Sequence, residues 1–161
     1  MKAIISFTVL ILLLAVPATA QNYDWSHVGS AGTIAAGAGH NFIGPSFTFS
    51  PFRTGTLTTR YNITNTVGGA IDKSPAWTTF TAAYTDNSSN GNVSLRLMQV
   101  DKCSNAETMI CNITSQDSGS CDSCTFTSNT IDFANNFYYI QANINRTTTS
   151  ATIALHSVAL N

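Results

Sequence analysis

An alternating pattern of apolar and polar residues in residues 77–100 constrains the fold of this chain more than any other feature. Residues 80–84 place an aromatic or alanine side chain at every second position, and residues 93–97 do the same with aliphatic side chains. Between them, Asn90-Gly91 is a strong hairpin signal, because both residues tolerate positive φ. A period of two separates the two faces of a β-strand. The stretch therefore predicts two antiparallel strands joined by a tight turn.

The same period recurs from residue 47 to residue 161. Turn-forming residues separate the segments, and none of them has a convincing helical period. Short, regularly spaced strands favour an all-β fold, an antiparallel β-sandwich of about eight strands, for which a jelly roll is one arrangement. The predicted strands are 46–50, 56–65, 76–85, 92–102, 108–115, 125–132, 137–146 and 150–160.

The composition excludes other architectures and several partners. Only 9% of the residues are charged and Glu107 is the one glutamate, which excludes a coiled coil or helical bundle. The formal net charge is −1, and it becomes more negative if a leader containing Lys2 is removed. We therefore expect no basic surface for nucleic acid or anionic lipid.

The first 20 residues have the pattern of a secretory signal peptide. Lys2 provides a positive start, residues 3–16 are almost wholly apolar, and residues 18–20 (Ala-Thr-Ala) form a small-x-small cleavage site. The apolar run is shorter than the roughly 20 residues that a membrane-spanning helix needs. We expect a protein that is secreted to the extracellular space or the cell surface, with no membrane insertion after cleavage.

The mature chain has two compositional regions. Residues 21–44 hold half of the ten glycines, and we expect a Gly/Ala-rich loop with an edge strand around residues 32–36 as the alternative. Residues 45–161 suit one β-sandwich domain, since domains most often contain roughly 100 to 150 residues. The N-terminal segment could also add a strand to a neighbouring copy, which makes the chain itself a candidate partner.

Four cysteines, Cys103, Cys111, Cys121 and Cys124, lie close together in the sequence. In an oxidising compartment they predict two disulfides, and four cysteines allow three pairings. Local geometry favours Cys103 with Cys111 and Cys121 with Cys124. The alternative joins Cys103 to Cys124 and Cys111 to Cys121. Zinc or redox chemistry is disfavoured, because zinc sites usually have two closely spaced ligand pairs and a redox Cys-x-x-Cys is followed by a helix.

Four phrases of the sequence resemble a recurring group of small secreted bacterial proteins. They are residues 29–33 (GSAGT), 60–63 (RYNI), 75–79 (PAWTT) and 132–140 (DFANNFYYI). The resemblance spans most of the mature chain and implies a bacterial source and a compact β fold. The group is uncharacterised, so the resemblance implies no activity, ligand or catalytic residue.

No catalytic set can be assigned from the sequence. The acidic residues lie mostly in turns, where Asx side chains commonly bond their own backbone, and there is no Gly-x-Ser-x-Gly motif or phosphate-binding glycine loop. We expect His40 and His156 to be surface or capping residues. A triad assembled from distant residues is not excluded by composition, so a small polysaccharide-active hydrolase stays the least favoured hypothesis.

Calcium is the cofactor to consider for an extracellular sandwich, because loop oxygens are its usual ligands. Neither candidate cluster has a regular Asp-x-Asp-x-Asp spacing, and the first is already explained as a hairpin turn, so we expect no cofactor and assign no metal ligand. The candidate clusters are Asp86 with Asn87, Asn90 and Asn92, and Asp117 with Asp122.

Sugar binding commonly uses exposed aromatic faces beside amide side chains. Trp25, Trp77 and Tyr139 are the candidates here, with core packing as the alternative for both tryptophans. The leading hypothesis is a non-enzymatic exported protein of the cell surface, acting in structure or adhesion by glycan binding, and a self-assembling extracellular subunit is the alternative. Five sequons are also candidate glycosylation sites: Asn62, Asn87, Asn92, Asn112 and Asn145.

Overall fold

The computed structural model describes residues 24–161 except positions 65, 68–69, 72–73 and 118. The predicted signal peptide, residues 1–20, lies outside the described residues. Within the described residues, no helix has the length and apolarity to cross a membrane. In chain order the strands are β1 (Trp25–Val28), β2 (Thr33–Ala36), β3 (His40–Ile43), β4 (Ser46–Phe49), β5 (Gly55–Ile63), β6 (Thr66–Val67), β7 (Ala70–Ile71), β8 (Thr79–Asp86), β9 (Gly91–Asp101), β10 (Glu107–Thr114), β11 (Cys121–Thr125), β12 (Asn136–Arg146) and β13 (Ile153–Leu160).

Two antiparallel sheets form the body of the fold. The first sheet has the order β11-β8-β13-β4-β3, with β1 also paired to β13. The second sheet has the order β10-β9-β12-β5-β2, and β6 pairs with β7 in a separate short hairpin. All of these pairs are antiparallel. The predicted all-β antiparallel sandwich is confirmed.

The eight strands from β4 onward, leaving aside the two-residue β6 and β7, follow the path of a jelly roll. The first of the eight pairs with the last, β4 with β13, and the second pairs with the seventh, β5 with β12. Inside these, β8 pairs with β11 and β9 with β10. Successive pairs alternate between the two sheets, which is how a long antiparallel hairpin wraps into a jelly roll.

The core lies between the sheets and is built from the apolar phase of each strand. Along β12 the side chains alternate strictly, so that Ile140 and Ala142 are fully buried while the residues between them are partly exposed. Leu97 of β9 and Phe80 and Leu155 of the first sheet complete this layer at 0% exposure. Each buried aliphatic or aromatic side chain contributes about 1.5–3 kcal/mol relative to an exposed one, so the alternation fixes which face of each strand points inward.

The N-terminal segment contributes three strands to this chain's own sheets, and the expected loop is therefore wrong over much of its length. β1 pairs with β13, placing Trp25 opposite Leu160, and the edge strand β2 pairs with β5. The segment packs closely: the Tyr61 hydroxyl donates a hydrogen bond of 2.6 Å to the Gly29 carbonyl. A Cβ on Gly29 would lie 2.0 Å from the Leu155 carbonyl oxygen, so only glycine fits there. β2 and β3 are edge strands of the two sheets, and pairing of residues 29–44 with a neighbouring copy stays a prediction.

One predicted strand, 125–132, is misplaced. The strand is β11, which ends at Thr125, and the following residues form an irregular segment. Ile131 and Phe133 of that segment are buried in the core at 0% and 9% exposure. Their apolar side chains therefore pack inward from a loop and imitate the alternation of a strand.

The structure contains one disulfide, Cys111–Cys124, and both predicted pairings are wrong. Cys121 and Cys124 both lie in β11, where three residues span about 10 Å, beyond the reach of a disulfide. Cys103 lies in the turn after β9, away from Cys111 in the interior of β10. Cys103 and Cys121 are exposed free thiols. The disulfide joins an edge strand of the second sheet to an edge strand of the first.

Candidate functional site

The outward side of the second sheet carries long polar and aromatic side chains. The strict alternation of β12 sends one phase into the core, so the other phase must face solvent. Pairing of β12 with β9 and β5 brings the outward residues of these three strands side by side. We call the following seven residues the polar face: Arg60, Asn62, Arg96, Phe137, Tyr139, Gln141 and Asn143.

Two arginines flank a glutamine in the central row of the polar face. Gln141 of β12 is paired with Arg96 of β9 on one side and with Arg60 of β5 on the other. Because neighbouring strands lie about 4.8 Å apart, the two arginine Cα atoms are separated by about 10 Å. The Arg60 guanidinium donates to Gln141 Oε1 at 3.3 Å. This row presents two positive charges and an amide to solvent.

The aromatic part of the polar face lies on β12. Tyr139 and Phe137 occupy successive outward positions, about 7 Å apart along the strand, and Phe137 is 62% exposed. The Arg60 guanidinium lies 5.1 Å from the centroid of the Tyr139 ring. The Lys102 ammonium lies 5.0 Å from the centroid of the Phe137 ring. Each ring therefore has a cation held above or beside it.

A carboxylate near these rings lies at the rim of the polar face. Glu107 begins β10 and pairs with Val100, which is itself opposite Phe137. Partial burial and then the neighbouring Glu107 carboxylate raise the pKa of Tyr139, and the Arg60 guanidinium works against them. The tyrosine hydroxyl therefore stays protonated at neutral pH, with the Glu107 carboxylate as its hydrogen-bond acceptor.

Hydroxyl groups hold the asparagines of β12 in place. Thr58 donates to Asn143 Oδ1 at 2.8 Å, and Thr56 lies 3.5 Å from Asn145 Oδ1. An amide held by its oxygen turns its two N–H donors toward solvent. These side chains can therefore donate to hydroxyl or carboxylate oxygens of a ligand.

A hollow of about 220 Å³ adjoins the polar face at the Phe137 end. Lys102 closes one side of it, donating from Nζ to the carbonyl of Phe133 at 2.6 Å. Asn136 is buried, and its amide accepts from Gln99 at 2.9 Å. The hollow is small for a drug-sized molecule and matches a single ring or substituent. Its lining residues are Ile63, Thr64, Lys102, Phe133, Asn136 and Phe137.

The two tryptophans proposed for sugar binding do not face solvent. Trp25 is 4% exposed and Trp77 is 1% exposed, and the Trp77 ring makes an edge contact with Phe133 at 6.3 Å between centroids. Both belong to the core, so the ligand-binding hypothesis for them is wrong, and Tyr139 is the candidate left on an outward face. Phe137, Arg60 and Arg96 were missed, although Phe137 shares the phase of Tyr139 in the sequence.

A second polar constellation lies on the outward side of the first sheet. His156 Nδ1 is 2.7 Å from Ser46 Oγ, and His156 Nε2 is 2.8 Å from Thr85 Oγ1. A serine beside a histidine is the start of a nucleophilic pair. Here the second ring nitrogen meets a threonine hydroxyl, where a triad has a carboxylate. The imidazole instead links the strands β4, β13 and β8.

Two of the three carboxylates of the calcium candidates are engaged in protein hydrogen bonds. Asp86 is 2% exposed and accepts from the hydroxyl of Ser115, and Asp122 accepts from the Tyr84 hydroxyl at 2.5 Å. Within the described ranges, no three His, Cys, Asp or Glu side chains group together as a metal site.

Two of the sequons lie next to the tyrosine and arginine side chains of the polar face. Asn62 is exposed and pairs with Tyr139, and Asn112 is exposed and pairs with Arg96. Their use for glycosylation stays a prediction, as it does for Asn87, Asn92 and Asn145. A glycan on either Asn62 or Asn112 would cover the arginine and tyrosine side chains.

Comparison with protein-family models gives no match, and comparison with curated proteins gives none either. Among solved structures, a family two carbohydrate esterase from Cellvibrio japonicus is similar, at 13% identity and a TM-score of 0.42. The similarity covers 85% of this chain, which spans 33% of that enzyme.

Two further solved structures are similar to this chain. A mitogen derived from Yersinia pseudotuberculosis matches at 11% identity with a TM-score of 0.34, covering 68% of this chain and 86% of the mitogen. A CBM4 structure matches at 7% identity with a TM-score of 0.32, covering 85% of this chain and 81% of that one. These similarities concern the fold alone.

Proposed function

We propose that this protein is an exported, non-enzymatic β-sandwich that binds glycan through the polar face and acts at the cell surface or in the extracellular matrix. The observation that carries the proposal is the outward pair Tyr139 and Phe137, set among amide and guanidinium donors. Aromatic rings cover the apolar face of a sugar, and planar donors satisfy its hydroxyl groups. The disulfide fits an oxidising compartment.

The shape of the polar face favours an extended ligand. It lies across three neighbouring strands, β9, β12 and β5, whose backbones are fully paired. A site built on paired strands holds its side chains more rigidly than a site on loops. Such a surface can contact several consecutive sugars of a polysaccharide, and the hollow beside Phe137 can take one ring or branch at the end of that row.

The test is binding of residues 21–161 to an array of cell-wall and extracellular polysaccharides, with protein made in a host that leaves the sequons unmodified. We expect binding to at least one polysaccharide and a loss of roughly tenfold or more for Tyr139→Ala, since stacking and one hydrogen bond are removed. Phe137→Ala should weaken the same binding.

Phe52→Ala is the matched control, because Phe52 is 89% exposed and lies in the loop between β4 and β5, away from the polar face. It should leave binding unchanged. The absence of binding to every polysaccharide, or an equal loss for Phe52→Ala and Tyr139→Ala, would contradict the proposal. Thermal unfolding of each variant separates loss of binding from loss of folding.

Self-association is the second candidate function, and the two exposed thiols favour it. Cys103 and Cys121 are free, and an unpaired cysteine in an exported protein can join two copies. The test is the mass in solution with and without reductant. A monomer under both conditions at high protein concentration would remove this candidate.

A further inference from the structure

We infer that the glycan recognised by the polar face is acidic, a polysaccharide whose sugars carry carboxylates, and that Arg60 and Arg96 bind those carboxylates. The inference rests on the proposed glycan binding and names the class of its ligand. The experiment below separates a failure of the inference from a failure of the proposal.

The sign of the charge on the polar face is opposite to that of the whole chain. The chain has 8 acidic and 7 basic residues, yet the central row contains two arginines and no acid. Glu107, at the rim, is two rows away from them. In a protein with so few charged residues, two cations on one row make a local positive site on an otherwise acidic molecule.

The two guanidinium groups have the geometry to bind separate carboxylates. An arginine presents a planar fork of donors that matches a carboxylate in two parallel hydrogen bonds. Arg60 is positioned by Gln141 and the Tyr139 ring. Within the described part of the chain, Arg96 makes no hydrogen bond or ion pair, so its fork is available. The spacing of about 10 Å between their Cα atoms is comparable to a disaccharide repeat in an extended polysaccharide.

Other anionic partners fit the polar face less well. Two cations on a chain of net negative charge supply little of the counterion release that drives binding to nucleic acid. A membrane surface needs a cluster of basic residues for stable attraction. The rings of Tyr139 and Phe137 beside the arginines instead match a chain of sugars that carries one acidic group at intervals.

The probe is polygalacturonate, with its fully methyl-esterified form as the matched neutral polysaccharide. We expect the protein to bind the acid form at least roughly tenfold more tightly than the ester, because esterification removes both charge-assisted contacts. Raising the ionic strength should weaken binding to the acid form, since exposed charges are screened, and should leave binding to the ester unchanged.

Arg60→Gln and Arg96→Gln test the two residues. Each should weaken binding to polygalacturonate by roughly tenfold, a larger loss than it causes in binding to the ester, because the ester lacks the carboxylate that pairs with the guanidinium. Arg96→Lys, which keeps the charge but loses the fork, should fall between Arg96→Gln and the wild type. Arg53→Gln is the matched control, since Arg53 is an exposed arginine in the loop before β5, and it should bind as the wild type does.

Equal binding to the acid and the ester, with both arginine variants unaffected, would overturn the inference and leave the glycan-binding proposal standing. Equal binding to dextran sulfate would also overturn it, because the site would then select charge and not carboxylate. Failure to bind any polysaccharide, charged or neutral, would overturn the proposed function itself.

Discussion

The outward faces of the two sheets differ sharply, although the same alternation builds both. On β8 of the first sheet the outward residues are small: Thr79, Thr81, Ala83 and Thr85. On β12 of the second sheet the outward phase instead carries the aromatic and amide members of the polar face. The inward residues of both strands are alike in being buried and mostly apolar.

This difference indicates that the residues important for function lie at the outward positions of the strands, where the fold does not dictate the side chain. Inward side chains must fill a close-packed interior, so their size and apolarity are dictated. Outward side chains are not packed into the core, and short hydroxyls suffice for a β-strand. Arginine, tyrosine and phenylalanine at the outward positions of the second sheet, when β8 has only threonine and alanine at its outward positions, call for a reason other than stability.

The largest effect that we predict on the free energy of unfolding comes from loss of the disulfide that joins the two sheets. We expect Cys111→Ser to lower the free energy of unfolding by about 3 kcal/mol, the value for a closed loop of this length. Cys103→Ser, at an exposed free thiol, should change it by less than about 0.5 kcal/mol. Urea denaturation measures both, and equal effects would show that the disulfide does not constrain the sandwich.

Substitutions on the two outward faces should differ in their effect on the free energy of unfolding, by a smaller amount than loss of the disulfide. His156→Ala removes two hydrogen bonds that link three strands of the first sheet, and we expect a loss of about 1–2 kcal/mol. Arg96→Gln on the second sheet should cost less than about 0.5 kcal/mol. Denaturation midpoints of the two variants at neutral pH measure this difference. A larger loss of stability for Arg96→Gln than for His156→Ala would contradict a structural role for His156 and a binding role for Arg96.

Tyrosine ionisation provides a third contrast. Burial, and then the Asp122 carboxylate, raise the pKa of Tyr84 from 10.0 to about 12. Because the folded-state pKa lies above the unfolded value, the stabilisation is complete below pH 10 and is lost as the pH rises toward 12. Tyrosinate absorbance should rise near pH 12, and the rise should be smaller in Tyr84→Phe. A rise of the same size in Tyr84→Phe as in the wild type would refute the assignment.

The smallest effect is expected on the face of short hydroxyls. Thr81→Ala should leave polysaccharide binding unchanged and alter the free energy of unfolding by less than about 0.5 kcal/mol. Binding isotherms beside those of Tyr139→Ala provide the measurement. A loss of binding in Thr81→Ala would place the ligand on the first sheet.

The parts of the fold that depend on residues close together in the sequence were predictable from it. The 77–100 hairpin and the outward position of Tyr139 follow from a period of two, which each strand carries within itself. The disulfide was not predictable, because Cys111 and Cys124 meet only when the edges of two different sheets come together. Burial of Trp25 likewise depends on pairing with the distant strand β13.

The central row of the polar face shows the same limit of prediction from sequence. Arg60 and Arg96 lie in different strands, and only the register against β12 brings them to either side of Gln141. A register shift of one residue would turn one of them inward. Sequence analysis could therefore identify polar outward positions but not the row that they form.

The pairing of β1 with β13 has a consequence for how the molecule could be displayed. Trp25 lies opposite Leu160, so both ends of the described chain belong to the first sheet, whereas the polar face lies on the second sheet. A support or a fused protein attached at either end would therefore leave the arginines and tyrosine pointing outward. Immobilisation through residue 161 should leave the polar face accessible to a polysaccharide. The strand order, which puts the chain ends and the polar face on different sheets, would then set the orientation of the protein on a surface.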